Sequence, residues 1–127
     1  MKTLLASMTL ALATVLAFPV LADDHSTLRV VSVETENVER YIAQLKTGKK
    51  LIQAQDANWS MSAFQSTFAG PNTGSVIVAV QYPGGLSDFA RAWEANMANE
   101  EISSWLASLG DLRTIVSDSL YVEHPLD

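Results

Sequence analysis

Few residues in this chain can do chemistry, and they are widely spaced. No cysteine occurs among the 127 residues. That removes thiolate catalysis, iron–sulfur clusters, Cys-based zinc sites and disulfides. The two histidines, His25 and His124, stand near opposite ends, and neither is placed to activate Ser117 or Ser119 as a nucleophile. A chain starting at Asp23 would present an amine, the amides of Asp24 and His25, and the His25 imidazole. Four nitrogens in a square suit Cu(II) or Ni(II), with His124 as an axial or alternative ligand if the two ends of the chain lie side by side. Asp118 shares a strand face with Val116, Leu120 and Val122. A buried carboxylate there needs a partner, and Arg29 is the candidate, as a structural pair rather than a catalytic acid. Glu36 with Glu39, and Glu100 with Glu101, read as solvated helix starts. Lys46, Lys49 and Lys50 form the one basic cluster and read as a solvated helix end. Gly84-Gly85 precedes a helix but lacks the Lys and the spacing of a phosphate loop. Asn58-Trp59-Ser60 matches a glycosylation pattern, but its strand placement argues against use.

These residues are held by a regular order of elements. Leu28–Glu34 is β-branched and predicts a strand. Val38, Tyr41, Ile42, Leu45 and Ile52 fall on one helical face, with a weak point at Gly48 and helical character to Gln55. Trp59–Ala69 alternates with period two, and Ser75–Tyr82 is the clearest strand. Gly70–Gly74 between them is a turn, so the two strands form an antiparallel hairpin. Ser87 caps a second helix carrying Phe89, Trp93 and Met97. Asn99-Glu100-Glu101 marks a fresh start for a short helix with Ile102, Trp105, Leu106 and Leu109, capped by Gly110. Arg113–Glu123 is the last strand. The order is β-α-β-β-α-β, the ferredoxin-like arrangement of the α+β class, with the last strand antiparallel beside the first. Val76, Val78 and Val80 oppose Ile77 and Ala79, and Val30 opposes Val31 and Val33. Both sheet faces are apolar, so the face without helices calls for a second copy of the chain in a two-fold dimer.

The amino terminus is of another kind. Met1-Lys2 is followed by an apolar run to Phe18, then Pro19 and the small-residue pattern Val20-Leu21-Ala22. That is the order of a secretory signal peptide, and the run falls short of the roughly 20 residues of a membrane span. Cleavage after Ala22 leaves one domain, residues 23–127, with seven basic and 14 acidic side chains and a formal charge of −7. Such acidity excludes phosphate-neutralising nucleic-acid binding. A hydrophobic content of 48% excludes disorder. The expectation is an exported protein, periplasmic or secreted, with no membrane anchor after cleavage.

Four segments carry a family resemblance: LRVVSVETENVERYIAQL (28–45), AGPNTGSVIVAVQYP (69–83), LSDFARAWEANMANEEISSWL (86–106) and VSDSLY (116–121). Together they resemble the dimeric α/β-barrel superfamily, which includes NIPSNAP-like proteins and antibiotic-biosynthesis monooxygenases. The resemblance covers nearly the whole of residues 23–127. It implies two ferredoxin-like subunits with facing sheets, and a ligand cleft between the sheet and helices of each.

Oxygenases of that superfamily place an Asn, a Trp and a His or Tyr around the cleft. The resemblance therefore implies Asn58, Trp59, Tyr41 and Trp93 as cleft residues. Asn58 would stabilise a developing oxyanion and the rings would hold a flat substrate. Against this, Tyr41, Trp93 and Trp105 sit on apolar helix stripes and also read as core. A haem-degrading member would carry an axial His on a helix, and no His lies between His25 and His124. The expected function is a dimeric small-molecule-binding or interaction protein with no established catalysis and no cofactor, any ligand being small and apolar or aromatic. The alternative is a cofactor-free oxygenase.

Overall fold

Valines at positions 30, 31 and 33 favour extended backbone, and the first strand, β1, spans Ser26–Glu34. The computed structural model describes residues 25–67, 70 and 74–126. The leader, Asp23, Asp24 and part of the Gly70–Gly74 turn lie outside them. After β1, the side chain of Asn37 accepts the Arg40 N–H at 3.0 Å and opens helix α1, Val38–Gln55. This helix runs through Gly48 without a break, contrary to the weak point expected there. Glycine is needed for packing instead: a Cβ at Gly48 would lie 1.9 Å from the Trp105 ring.

The hairpin follows as expected, with β2 at Ser60–Gln65 and β3 at Val76–Pro83. Its pairing is antiparallel, Met61 opposite Val80 and Phe64 opposite Ile77. β2 is shorter than the alternation suggests. Helix α2, Leu86–Ala98, starts two residues earlier than Ser87 predicts. Its cap is Gly85, whose N–H donates to Asp88 Oδ2 at 3.0 Å. Gly84 supplies the turn before it with φ +100°, where a Cβ would strike Asp88. Asn99 breaks the helix as expected. Its Oδ1 accepts the N–H groups of Glu101 and Ile102, starting α3 at Glu100–Ser108. Gly110 is not a left-handed cap. It lies inside a 3₁₀ turn, Leu109–Asp111. The last strand, β4, is Thr114–Val122.

The sheet order is β2-β3-β1-β4, all neighbours antiparallel. This is the ferredoxin-like α+β topology, with the second helix split in two. Helices cover one face of β2, β3 and β1 and bury Val31, Val33, Val76, Val78 and Val80 against Tyr41, Leu45, Ile52 and Ile102. The cover stops short of β4, whose helix-side residues Ile115, Leu120 and Val122 stay exposed. Among the described residues, the opposite sheet face carries no helix. There Leu28, Val30, Ile77 and Ala79 are half-buried by their neighbours alone, and Phe64 and Tyr121 are 61% and 55% exposed.

Candidate functional site

The uncovered side of β4 makes a groove. Helix α2 forms one wall with Phe89, Trp93 and Met97, spaced to share a face. β1 and β4 form the other, with Arg29, Asp118 and Leu120, and the volume is about 700 Å³. Register places Arg29 opposite Leu120, and Asp118 two residues back on the same face. That diagonal is within reach of a long side chain. Arg29 binds Asp118 through both tines of its fork, Nε to Oδ1 at 2.9 Å and Nη2 to Oδ2 at 2.6 Å. Asp118 is not buried, however: its side chain is 36% exposed. The Arg29 hydrogen bonds hold the Asp118 carboxyl below the usual carboxylate range, and they raise the guanidinium in turn. The same guanidinium lies 5.0 Å from the centre of the Trp93 ring, a cation–π contact.

Arg29 and Trp93 also border a second, inner chamber of about 40 Å³. It lies between the sheet and helices α1 and α3, lined by Leu45, Trp105, Leu106, Arg113 and Ile115 among others.

The four expected cleft residues do not gather in one opening. Trp93 reaches the groove. Trp59 is 1% exposed. Its ring is enclosed by Tyr82 at 4.6 Å, Phe89 at 5.2 Å and Trp93 at 5.9 Å between centroids. Asn58 stands on the surface turn before β2, where its backbone N–H donates to Asp56 Oδ1 at 3.0 Å. Beside it the Tyr82 hydroxyl donates to Asp56 Oδ2. That bond lowers the Asp56 pKa and raises that of Tyr82. Tyr41 is fully buried, and its hydroxyl accepts Arg113 Nη1 at 2.9 Å. His25 is exposed at the start of β1, with its carbonyl accepting the Gly84 N–H at 2.6 Å. Among the described residues no group of three or more His, Asp or Glu is placed to hold a metal ion.

Sequence reasoning missed Arg113, Met97 and Leu120 as cleft residues, and took Arg29 only as a partner for Asp118. One signal was available: Arg29 is a charge inside a β-branched strand, on the face shared with Val31 and Val33.

This architecture defines a ferredoxin-like α+β domain. The same fold is seen in a NIPSNAP family protein from Agrobacterium tumefaciens, at 16% identity and TM-score 0.63 over 81% of this chain and 86% of that one. A second NIPSNAP family protein of unknown function from that organism matches at 16% and 0.60, over 80% and 89%. SnoaB, a cofactor-independent oxygenase from Streptomyces nogalater, matches at 11% and 0.56, over 82% and 95%. These are the two groups that the sequence resembles, and at such identities the likeness is one of fold. No family model matches the chain, and no curated protein matches it in sequence.

Proposed function

We propose that this is an exported, dimeric protein that binds a small apolar or aromatic molecule in the groove between α2 and the β1–β4 pair. The observation that carries the reading is the groove itself: about 700 Å³, with an aromatic wall and one ion pair. Ligand sites have this make-up, apolar walls with few fixed polar groups. Binding is favoured over catalysis because Asp118, the groove carboxylate that a partner holds in place, is a weak base. Asp118 is held ionised by Arg29, below its ordinary range, whereas a general base works best near the operating pH. Asn58, the expected oxyanion donor, lies apart from the groove.

Assembly follows from the open sheet face. Leu28, Val30, Phe64, Ile77 and Tyr121 make an apolar surface that a second copy would cover, in an interface of more than about 1,000 Å². Export rests on the order of residues 1–22. No helix among the described residues is long and apolar enough to cross a membrane.

Light scattering of residues 23–127 at micromolar concentration should give twice the chain mass, and Ile77→Asp should halve it. A monomer at that concentration overturns the dimer. A panel of flat aromatic compounds should include members that raise Tm and quench tryptophan fluorescence, with both effects lost in Trp93→Ala. A panel with none overturns the binding reading. The fold shared with SnoaB keeps the oxygenase as the second reading. Oxygen uptake with hydroquinones or anthrones is expected to be nil. Uptake abolished by both Asn58→Ala and Trp59→Phe would install that reading instead.

A further inference from the structure

The chain has four arginines, at 29, 40, 91 and 113, within a formal charge of −6. Two of them, Arg29 and Arg113, border the same inner chamber, and both are half-buried. Arg29 spends its fork on Asp118. Arg113 has no carboxylate within ion-pair distance among the described residues. The side-chain hydrogen bond it makes there is to the Tyr41 hydroxyl, with the guanidinium 5.9 Å from the Tyr41 ring centre. A guanidinium has five N–H donors, so a half-buried one tied to a phenol keeps most of its hydrogen-bonding capacity unspent. Withdrawing such a charge from water costs free energy unless an acceptor compensates it.

The surrounding acids do not supply that acceptor. Glu34, Glu36 and Asp111 border a separate polar depression that Arg113 also touches, and none reaches ion-pair distance. Glu94 lies on the wall of the outer groove. Asp118 is taken by Arg29, although Arg113 also helps to keep it ionised. Arg113 thus stands at the inner end of the cleft with no ion-pair partner among the described residues, and the outer wall carries an acid, Glu94. The inner chamber, about 40 Å³, has room for a small polar group and not for a ring. The Trp93 ring is the wall common to chamber and groove.

We infer that the ligand of this cleft is a flat apolar molecule carrying one carboxylate, its carboxylate held by Arg113 and its body lying along Trp93. The inference rests on the binding reading above and names the chemical class of its ligand. A guanidinium fork matches a carboxylate with two parallel hydrogen bonds, and such charge-assisted pairs are the strong ones. Glu94 disfavours a second anionic group at the outer end.

The test uses residues 23–127 with two probes of equal shape, 2-naphthoate and the neutral 2-naphthamide, titrated by calorimetry. The acid should bind about tenfold or more tightly than the amide, the effect of one charged hydrogen-bonded pair. Arg113→Gln should abolish the preference, so that acid and amide bind alike. Arg113→Lys keeps the charge on a flexible stem, and should retain part of the preference with the fold intact by circular dichroism. Equal binding of both probes, or a preference that survives Arg113→Gln, overturns the carboxylate assignment and leaves the binding reading standing. Binding of neither probe by the folded protein overturns both.

Discussion

Trp59 and Trp93 belong to one aromatic cluster, with centroids 5.9 Å apart, yet they occupy opposite kinds of surroundings. Trp59 enters from the start of β2, at the end of the sheet where helices and strands meet fully. Tyr82 and Phe89 close over it, and Gln53 Nε2 donates to its carbonyl at 3.1 Å. Trp93 sits across the cluster on α2, where the groove opens towards β4 and no helix among the described residues lies above that strand. One ring is therefore core and the other a wall. The difference lies in what covers each ring, since the residue type is the same. Aromatic content alone does not mark a site; the limit of the helical cover does.

The contrast breaks most visibly on truncation. Trp59→Ala should cost about 3–5 kcal/mol of stability in urea unfolding, the range for emptying a buried aromatic site. Trp93→Ala should cost no more than about 2 kcal/mol, because its side chain is only partly buried. Equal losses would mean that both rings are core and that the groove is closed in solution.

A smaller effect sharpens the closed side. Gly48→Ala puts a methyl group against the Trp105 ring. Overpacking of that kind costs about 1–3 kcal/mol, against a gain of up to about 1 kcal/mol in helix propensity. Gly110→Ala meets nothing within 4 Å and is the control. A Gly48→Ala variant as stable as the parent would show that α1 and α3 do not pack through this position.

The smallest effects are in pH. Asp118 and Asp56 have lowered pKa values in the folded state. Their contribution is complete above the ordinary carboxylate pKa of about 4 and is lost as pH falls through the lowered values. Tyr82 is raised, so its contribution is complete below its ordinary pKa of about 10 and is lost as pH rises through the raised value. Both carboxylates are well solvated, and Asp118→Asn should shift stability by less than about 1 kcal/mol at pH 7. A flatter acid limb in urea unfolding from pH 2 to 5 checks it. Tyr82→Phe should flatten both limbs, and an unchanged alkaline limb would place the Tyr82 proton elsewhere.

Much of the fold was legible because short-range rules act on short segments. The valines of β1 and β3, the helix face from Val38 to Ile52, and the Asn99 cap each sit within one or two residues of expectation. Gly48 and Gly110 were misread for a related reason. A glycine suggests a break or a cap locally, but Trp105, 57 positions away, is what requires Gly48 to lack a side chain. The start of α2 was placed at Ser87, a good capping residue, while the structure uses the Gly84–Gly85 turn with Asp88 reaching back.

The candidate site was legible only in part. The Arg29–Asp118 pair followed from topology: once β4 lies antiparallel beside β1, two charges on one face of neighbouring strands can meet. Trp93 was named, but alongside Asn58, Trp59 and Tyr41, which the fold sends to a surface turn and to the core. Nothing local separates those outcomes, since a tryptophan on an apolar stripe has the same pattern whether or not another element covers it.

The sequence by itself determined the element order, the strand partners, the apolar character of the helix-covered sheet face and the acidic net charge. Periodicity and capping are properties of a few consecutive residues, so they survive without coordinates. The tertiary structure alone decided that the helices stop short of β4, that Trp59 is sealed while Trp93 reaches the groove, and that Arg29 and Arg113, 84 positions apart, border one chamber. Those facts depend on how far one layer extends over another, a property of no single segment.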